Sequence, residues 1–172
     1  MAHHTIKKGY THLADRINQF PQGAPPTKLL FRILEMLVNE REAGLISLLP
    51  IKPFDARKAS KIWKLNLTET RKILDHLANR AILVDMQYNG HTFYALPPPM
   101  AGFFEFSLMR VRNDIDQKVL SELFYQYMNV EEDLLKNYSA PVKQSLEERL
   151  FMSLCCLLIL PYMYWIMNVL PK

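Results

Sequence analysis

Cysteine and glycine are scarce in this chain of 172 residues, which has two cysteines and five glycines. The cysteines, Cys155 and Cys156, are adjacent, and neighbouring residues rarely form a disulfide with each other. No CxxC or Cys/His spacing occurs elsewhere, so the sequence indicates neither a disulfide framework nor a zinc site. Five glycines also leave little room for a glycine-rich phosphate-binding loop, and no such motif is present.

Residue pairings typical of catalytic sites are missing as well. The acidic pairs Glu131-Glu132 and Glu147-Glu148 have the spacing of charges on a helix surface. No histidine has a carboxylate or cysteine at a spacing that would fix the two side by side. We therefore expect no enzymatic activity, no metal and no cofactor in this chain. The histidines are His3, His4, His12, His76 and His91.

Residues 1–27 lack the apolar core of a signal peptide, because they are polar and interrupted by prolines. A cytoplasmic protein is therefore expected. The segment is predicted to be an N-terminal arm with weak helical character, since Tyr10, Leu13, Ala14 and Ile17 follow helical spacing.

A winged helix-turn-helix domain is predicted for residues 28–99. Asp55 can cap a short helix, and a second helix is predicted from Thr68 to about Arg80, with residues 64–67 as the turn. Two apolar runs follow, and Asn89-Gly90 between them predicts a hairpin with a type I′ turn. The predicted fold class is mainly α with a small β-hairpin and additional C-terminal helices. A first core helix, which Thr27 can cap, has the apolar stripe Leu29, Leu30, Ile33, Leu34, Leu37 and Val38.

Basic charge is concentrated between residues 52 and 80. That stretch holds eight Lys or Arg and three Asp or Glu, whereas residues 81–172 hold seven and ten. A basic helix-turn-helix has the charge that is needed to neutralise phosphates. The alternative is a solvated face of two amphipathic helices, which would carry these charges without binding anything.

Residues expected to contact duplex DNA lie on both helices of the helix-turn-helix and on the hairpin. The first turn of its second helix would enter the major groove, where Arg71 or Lys72 would meet guanine edges or phosphates. Glu69 opposes such a role, but Asn66 with Glu69 also matches a capping box that would make Glu69 structural. The hairpin offers no Lys or Arg. The predicted nucleic-acid-binding residues are Lys58, Lys61, Lys64, Thr68, Thr70, Arg71, Lys72, Asn89 and His91.

A helical extension is predicted for residues 100–136, divided into two helices near Arg112-Asn113-Asp114. Its aromatic residues and methionines are expected to pack against the preceding domain or a missing neighbour rather than to line a ligand pocket. Residues 137–172 form a divergent tail, in which residues 150–170 carry no charge. That run is long enough to cross a bilayer as a helix, so membrane contact is expected. A buried helix of an assembly and an out-of-frame tail are the alternatives.

Residues 97–112 (PPPMAGFFEFSLMRVR) form a distinctive block, accompanied by Asp116-Gln117-Lys118 and by residues 127–133 (YMNVEED). With residues 10–16 (YTHLADR), they closely resemble the N-terminal region of a bacterial and archaeal 4Fe-4S ferredoxin-like family. The likeness covers about residues 8–136. It implies a winged-helix segment that is followed, in the family, by a cysteine-rich iron–sulfur module.

The cluster ligands of that family have no counterpart in this sequence. Clusters are held by sets of four cysteine thiolates, and the adjacent pair Cys155-Cys156 lacks the necessary spacing. The interpretation is a truncated member that keeps the winged helix and lacks the redox module. Three roles remain open: a DNA-binding winged helix, a module that docks onto a redox protein partner, and, through the resemblance alone, a redox protein.

Overall fold

The computed structural model describes residues 2–20, 23–110 and 112–129. This part of the chain is mainly helical, with seven α-helices and one small three-stranded antiparallel sheet. The predicted tail of residues 137–172, with its uncharged run 150–170, lies outside the described residues. In chain order the elements are α1 (Ala2–Ile17), α2 (Lys28–Leu37), α3 (Glu40–Ser47), β1 (Phe54–Asp55), α4 (Ala56–Trp63), α5 (Leu67–Asn79), β2 (Val84–Tyr88), β3 (His91–Ala95), a π-helical turn (Pro99–Phe103), α6 (Phe104–Met109) and α7 (Gln117–Asn129).

The N-terminal segment is a helix that packs into the core. Leu13, Ala14 and Ile17 of α1 are buried, and the helix lies mainly against α3. The Tyr10 hydroxyl donates a hydrogen bond of 3.1 Å to the carbonyl of Val38. The helical spacing of these residues therefore marks a buried face, which the sequence predicted only as weak helical character.

Helix α3 is an element that the sequence prediction missed. Its start is a capping box, because the Asn39 side chain accepts from the Glu42 amide while the Glu42 carboxylate accepts from the Asn39 amide. An Asn followed three residues later by Glu is the sequence signature of this cap. This signal, at Asn39 and Glu42, is present in the sequence.

Helices α4 and α5 are joined by a tight turn at Lys64. This residue has left-handed dihedral angles, with φ 55° and ψ 37°, and its amide donates to the carbonyl of Ser60. The Ser60 hydroxyl in turn donates to the carbonyl of Leu65 at 2.7 Å. The helix, turn and helix predicted here are confirmed, and α5 begins one residue earlier than expected, at Leu67.

The predicted hairpin is confirmed as well. Strands β2 and β3 pair antiparallel from Val84–Ala95 to Tyr88–His91. Asn89 and Gly90 have φ angles of 49° and 75°, which is the conformation that a type I′ turn requires. The sheet order is β1-β3-β2, since the short β1, which the sequence did not predict, pairs with the other edge of β3.

Several of the aromatic residues after the hairpin pack inside the chain. The strand ends at Ala95, before the three prolines, and the predicted break between α6 and α7 is confirmed. The Phe104 ring lies 5.3 Å from that of Phe103 and 5.4 Å from that of Phe124. The Tyr127 hydroxyl donates to the carbonyl of Pro25 at 3.1 Å. These contacts hold α7 against the N-terminal half of the chain.

Within the part of the chain that the structure describes, no helix combines the length and the apolar character needed to span a membrane.

Candidate functional site

Side-chain caps position the two helices that carry most of the predicted site residues. Asp55 starts α4, because its Oδ1 accepts from the Lys58 amide at 2.8 Å. Asn66 starts α5, because its Oδ1 accepts from the Glu69 amide at 2.7 Å. Both caps satisfy amides that a helix start otherwise leaves unpaired.

Seven of the eight basic residues between 52 and 80 have exposed side chains. Over the described ranges, none of the seven side chains takes part in an ion pair or in a side-chain hydrogen bond. They lie before α4, along α4, at its C-terminal cap and on the first half of α5. We call them the seven cations: Lys52, Arg57, Lys58, Lys61, Lys64, Arg71 and Lys72.

The three carboxylates of the same stretch all have protein partners. Asp55 caps α4. Glu69 forms an ion pair with Arg41 of α3, at 3.3 Å. Asp75 accepts a hydrogen bond of 2.5 Å from the Tyr94 hydroxyl. The acids of this stretch are therefore engaged elsewhere, and none of them neutralises one of the seven cations by direct contact.

The eighth basic residue, Arg80, is structural. Its Nη1 lies 2.6 Å from Oε1 of Glu42, and both side chains are largely buried, at 15% and 11% exposed. A second nitrogen, Nη2, donates to the carbonyl of Leu37. Because α2, α3 and the end of α5 meet at this guanidinium, Arg80 joins the helices and is not available to a ligand.

The prediction that Thr70 contacts nucleic acid is wrong. Its side chain is 0% exposed, and its hydroxyl donates to the carbonyl of Asn66 at 2.9 Å. Thr68 lies on the exposed side of the same first turn. The helical repeat separates the two threonines, since residues two apart point in directions about 200° apart on a helix. Thr68 stays a candidate contact and Thr70 belongs to the core.

Asn89 and His91 lie exposed at the tip of the hairpin, as the sequence suggested. Asn89 has a positive φ in the turn, so its backbone forms the turn independently of any contact that its side chain makes. His91 is the first residue of β3 and pairs with Tyr88 of β2. The hairpin tip is therefore polar, with the imidazole of His91 as its only basic group.

A cleft of about 510 Å³ opens between the start of α4, the middle of α5 and the start of β3. It brings together two predicted site residues, Arg71 and His91, with a third basic residue, Arg57. Asp55 and Asp75 also lie along its wall. The other predicted residues do not line it.

Tyr94 forms part of the wall between this cleft and the core. Burial, followed by the hydrogen bond to Asp75, raises the pKa of the Tyr94 hydroxyl, while the positive charge of Arg71 acts weakly in the opposite direction. The phenol therefore stays protonated and keeps donating to Asp75 at neutral pH. This contact fixes β3 against α5 and holds the shape of the cleft.

Sequence reasoning missed Arg57 as a site residue. The available signal was its position two residues after the capping Asp55, which places it in the first turn of α4. Arg57 and His91 line the same cleft because β3 pairs with β1. The pairing is distant in sequence, so no local pattern indicates it.

In residues 2–20, 23–110 and 112–129, no group of three or more His, Cys, Asp or Glu side chains has the arrangement of a metal site. Comparisons with known proteins found no matching protein-family model, no similar curated protein and no similar solved structure.

Proposed function

We propose that α4, α5 and the β2–β3 hairpin form a winged helix-turn-helix and that this unit binds duplex DNA. One observation carries the proposal: the seven cations lack protein partners in the described structure, whereas the three carboxylates among them are engaged. The surplus of unpaired cations is what phosphate neutralisation uses.

The order of elements supports the proposed unit. Two helices joined by the tight turn at Lys64 are followed directly by a hairpin with a polar tip. In a helix-turn-helix, the second helix presents its N-terminal residues to the major groove while the preceding helix crosses the backbone. Here the first turns of α5 expose Thr68, Arg71 and Lys72.

The basic residues are expected to make different contacts, because their side chains differ in chemistry. Arg71 can form two parallel hydrogen bonds to a guanine edge or to a phosphate. Lys58, Lys61 and Lys64 on the α4 side would contact the backbone as point charges. The Glu69 carboxylate pairs with Arg41 and accepts from the Asn66 side-chain amide at 3.4 Å, so its repulsion of a phosphate is reduced.

A mobility-shift experiment with a generic duplex at about 50 mM salt tests the proposal, because counterion release favours binding most strongly at low salt. We expect binding by the full chain and about tenfold or greater weakening in the double variant Arg71→Ala, Lys72→Ala. The matched control is Lys28→Ala, Arg32→Ala, which removes two exposed charges from α2. Absence of a shift with the unaltered chain, or equal weakening by both double variants, contradicts the proposal.

A second candidate function is docking onto a protein partner. It is favoured by the exposure of large apolar side chains on α6 and α7, with Met109 63% exposed and Tyr125 65% exposed. The resemblance of residues 97–112 to the ferredoxin-like family suggests a redox protein as that partner. Sedimentation of the chain with and without Met109→Ser, Tyr125→Ser tests the exposed pair. If the unaltered chain self-associates and the variant does not, the exposed pair forms an interface. If both proteins are monomers, the pair does not form an interface between copies of this chain.

A further inference from the structure

We propose that the cleft between α4, α5 and β3 is a binding site for a single phosphate group, held by Arg57 and Arg71 with His91. Where the phosphate belongs to a DNA backbone, this inference rests on the proposed function. The same chemistry also fits a free phosphorylated compound. The site is a separate claim about three residues, so it can fail while duplex binding holds.

Two arginines from two different helices line one cleft. Arg57 comes from the first turn of α4 and Arg71 from the second turn of α5, and both line the cleft. One guanidinium can already bond both oxygens of a carboxylate, so a carboxylate ligand would need only one of the two arginines. A phosphate group has at least one further acceptor oxygen, so it can be shared between two forks and an imidazole N–H.

The two acidic residues of the wall, Asp55 and Asp75, accept hydrogen bonds from groups other than Arg57 and Arg71. Arg71 and Asp75 are four residues apart on α5, which is the spacing of a helical ion pair. Asp75 instead accepts from Tyr94 at 2.5 Å. Asp55 accepts from the Lys58 amide. Neither Arg57 nor Arg71 forms an ion pair within the described structure. Asp55 and Asp75 keep their negative charges, so a phosphate would have to bind on the arginine side of the cleft.

The size of the cleft indicates the class of ligand. At about 510 Å³ it has room for a group larger than a phosphate ion, such as a nucleotide unit. Phe93 and Tyr94 supply apolar wall between the charged residues. A phosphate ester therefore matches the lining better than an inorganic ion alone.

Titration of the full chain by NMR tests this site, with inorganic phosphate, adenosine monophosphate and a generic duplex as probes. The signals followed are the Nε–H groups of Arg57 and Arg71 and the ring of His91. We expect all three to shift together with each probe, and adenosine monophosphate to saturate at lower concentration than inorganic phosphate. The Nε–H signal of Arg32, an exposed arginine on α2, should not move.

Substitutions supply the second readout. We expect Arg57→Ala and Arg71→Ala each to weaken adenosine monophosphate at least tenfold, because each removes charge-assisted hydrogen bonds. Arg57→Lys should lose several-fold, since it keeps the charge without the fork. Arg32→Ala should leave the affinity unchanged. Unaltered amide signals of α2 and α3, which do not line the cleft, check that each variant is folded.

The probes separate the sources of the phosphate and the two proposals. Displacement of adenosine monophosphate by duplex supports a backbone phosphate in the cleft, and its retention beside bound duplex supports a free ligand. Duplex binding that leaves Arg57, Arg71 and His91 unshifted overturns the site but not the proposed function. Phosphate binding without duplex binding overturns the proposed function but not the site. Shifts at Arg32 equal to those at Arg57 overturn the site.

Discussion

The Tyr94 hydroxyl donates a hydrogen bond of 2.5 Å to the Asp75 carboxylate, and through it strand β3 is fastened to helix α5. The two residues are 19 apart in the sequence, on opposite sides of the hairpin turn. Arg71, one turn earlier on α5, is exposed and forms no ion pair in the described part of the chain. The contact between Tyr94 and Asp75 therefore joins the hairpin to the helix that carries Arg71.

Removing the Tyr94 hydroxyl should lower stability in a way that depends on pH. We expect Tyr94→Phe to reduce the free energy of unfolding by about 1 kcal/mol at pH 8. The pKa of Tyr94 is raised in the folded state, so its contribution is fully present below the unfolded pKa of about 10 and is lost as the pH rises towards the folded pKa. Urea unfolding between pH 8 and 11 measures the difference between the two proteins.

That difference should shrink as the pH rises above about 10, because only the unaltered chain loses the contribution of Tyr94. Tyr88→Phe is the matched control, since Tyr88 is 46% exposed on the same hairpin. A difference that stays constant with pH would mean that the hydroxyl does not donate to Asp75 in the folded state.

The pair Arg80–Glu42 should contribute more to stability than the exposed pair Arg41–Glu69. Burying one charge without its partner is costly, so we expect Arg80→Ala to destabilise the chain by about 2–4 kcal/mol. A double-mutant cycle with Glu42→Gln should give a coupling of about 1–3 kcal/mol. The same cycle on Arg41 and Glu69, which are 71% and 42% exposed, should give below about 1 kcal/mol. Equal couplings would contradict the structural role given to Arg80.

Replacing Lys64 by glycine should raise stability while it weakens duplex binding. Glycine adopts the left-handed conformation of this residue without the penalty of about 1 kcal/mol that a side chain carries there. Lys61→Gly is the matched control, because it removes the same charge from the interior of α4 and should destabilise by about 1 kcal/mol. Thermal unfolding and duplex titration of both variants separate the two effects. A less stable Lys64→Gly variant would contradict the backbone argument.

The two threonines at the start of α5 should behave in opposite ways. Thr70→Val keeps the volume of a buried side chain but loses the bond to Asn66, so we expect about 1 kcal/mol of destabilisation and unchanged duplex affinity. Thr68→Val alters an exposed contact candidate and should affect affinity alone. Chemical denaturation beside a mobility shift measures both. Weaker binding by a correctly folded Thr70→Val variant would be inconsistent with its burial.

The local features of the fold were predictable from the sequence. Asp55, Asn66 and Thr27 cap their helices as predicted, since a cap depends on residues three positions apart. Asn89-Gly90 forms the hairpin turn for the same reason, because the required positive φ angles are a property of those two residues.

Features that depend on packing were not predictable. The pairing of Phe54 with Tyr94 joins residues 40 positions apart through two-residue strand β1, which is too short to show a pattern. Thr70 and Thr68 look alike in the sequence, and only the packing of α5 against the core distinguishes them. Arg80 and Arg57 are equivalent basic residues in the sequence. In the structure Arg80 pairs with Glu42 and is largely buried, whereas Arg57 lines the cleft.

The salt dependence of duplex affinity tests the proposed function most directly. If four to six of the seven cations meet phosphates, the logarithm of the association constant should fall against the logarithm of salt concentration with a slope of about −4 to −5. Lys72→Ala should make that slope shallower by about 0.9, and Arg32→Ala should leave it unchanged. A slope near zero, or the same slope in all three proteins, would contradict the account.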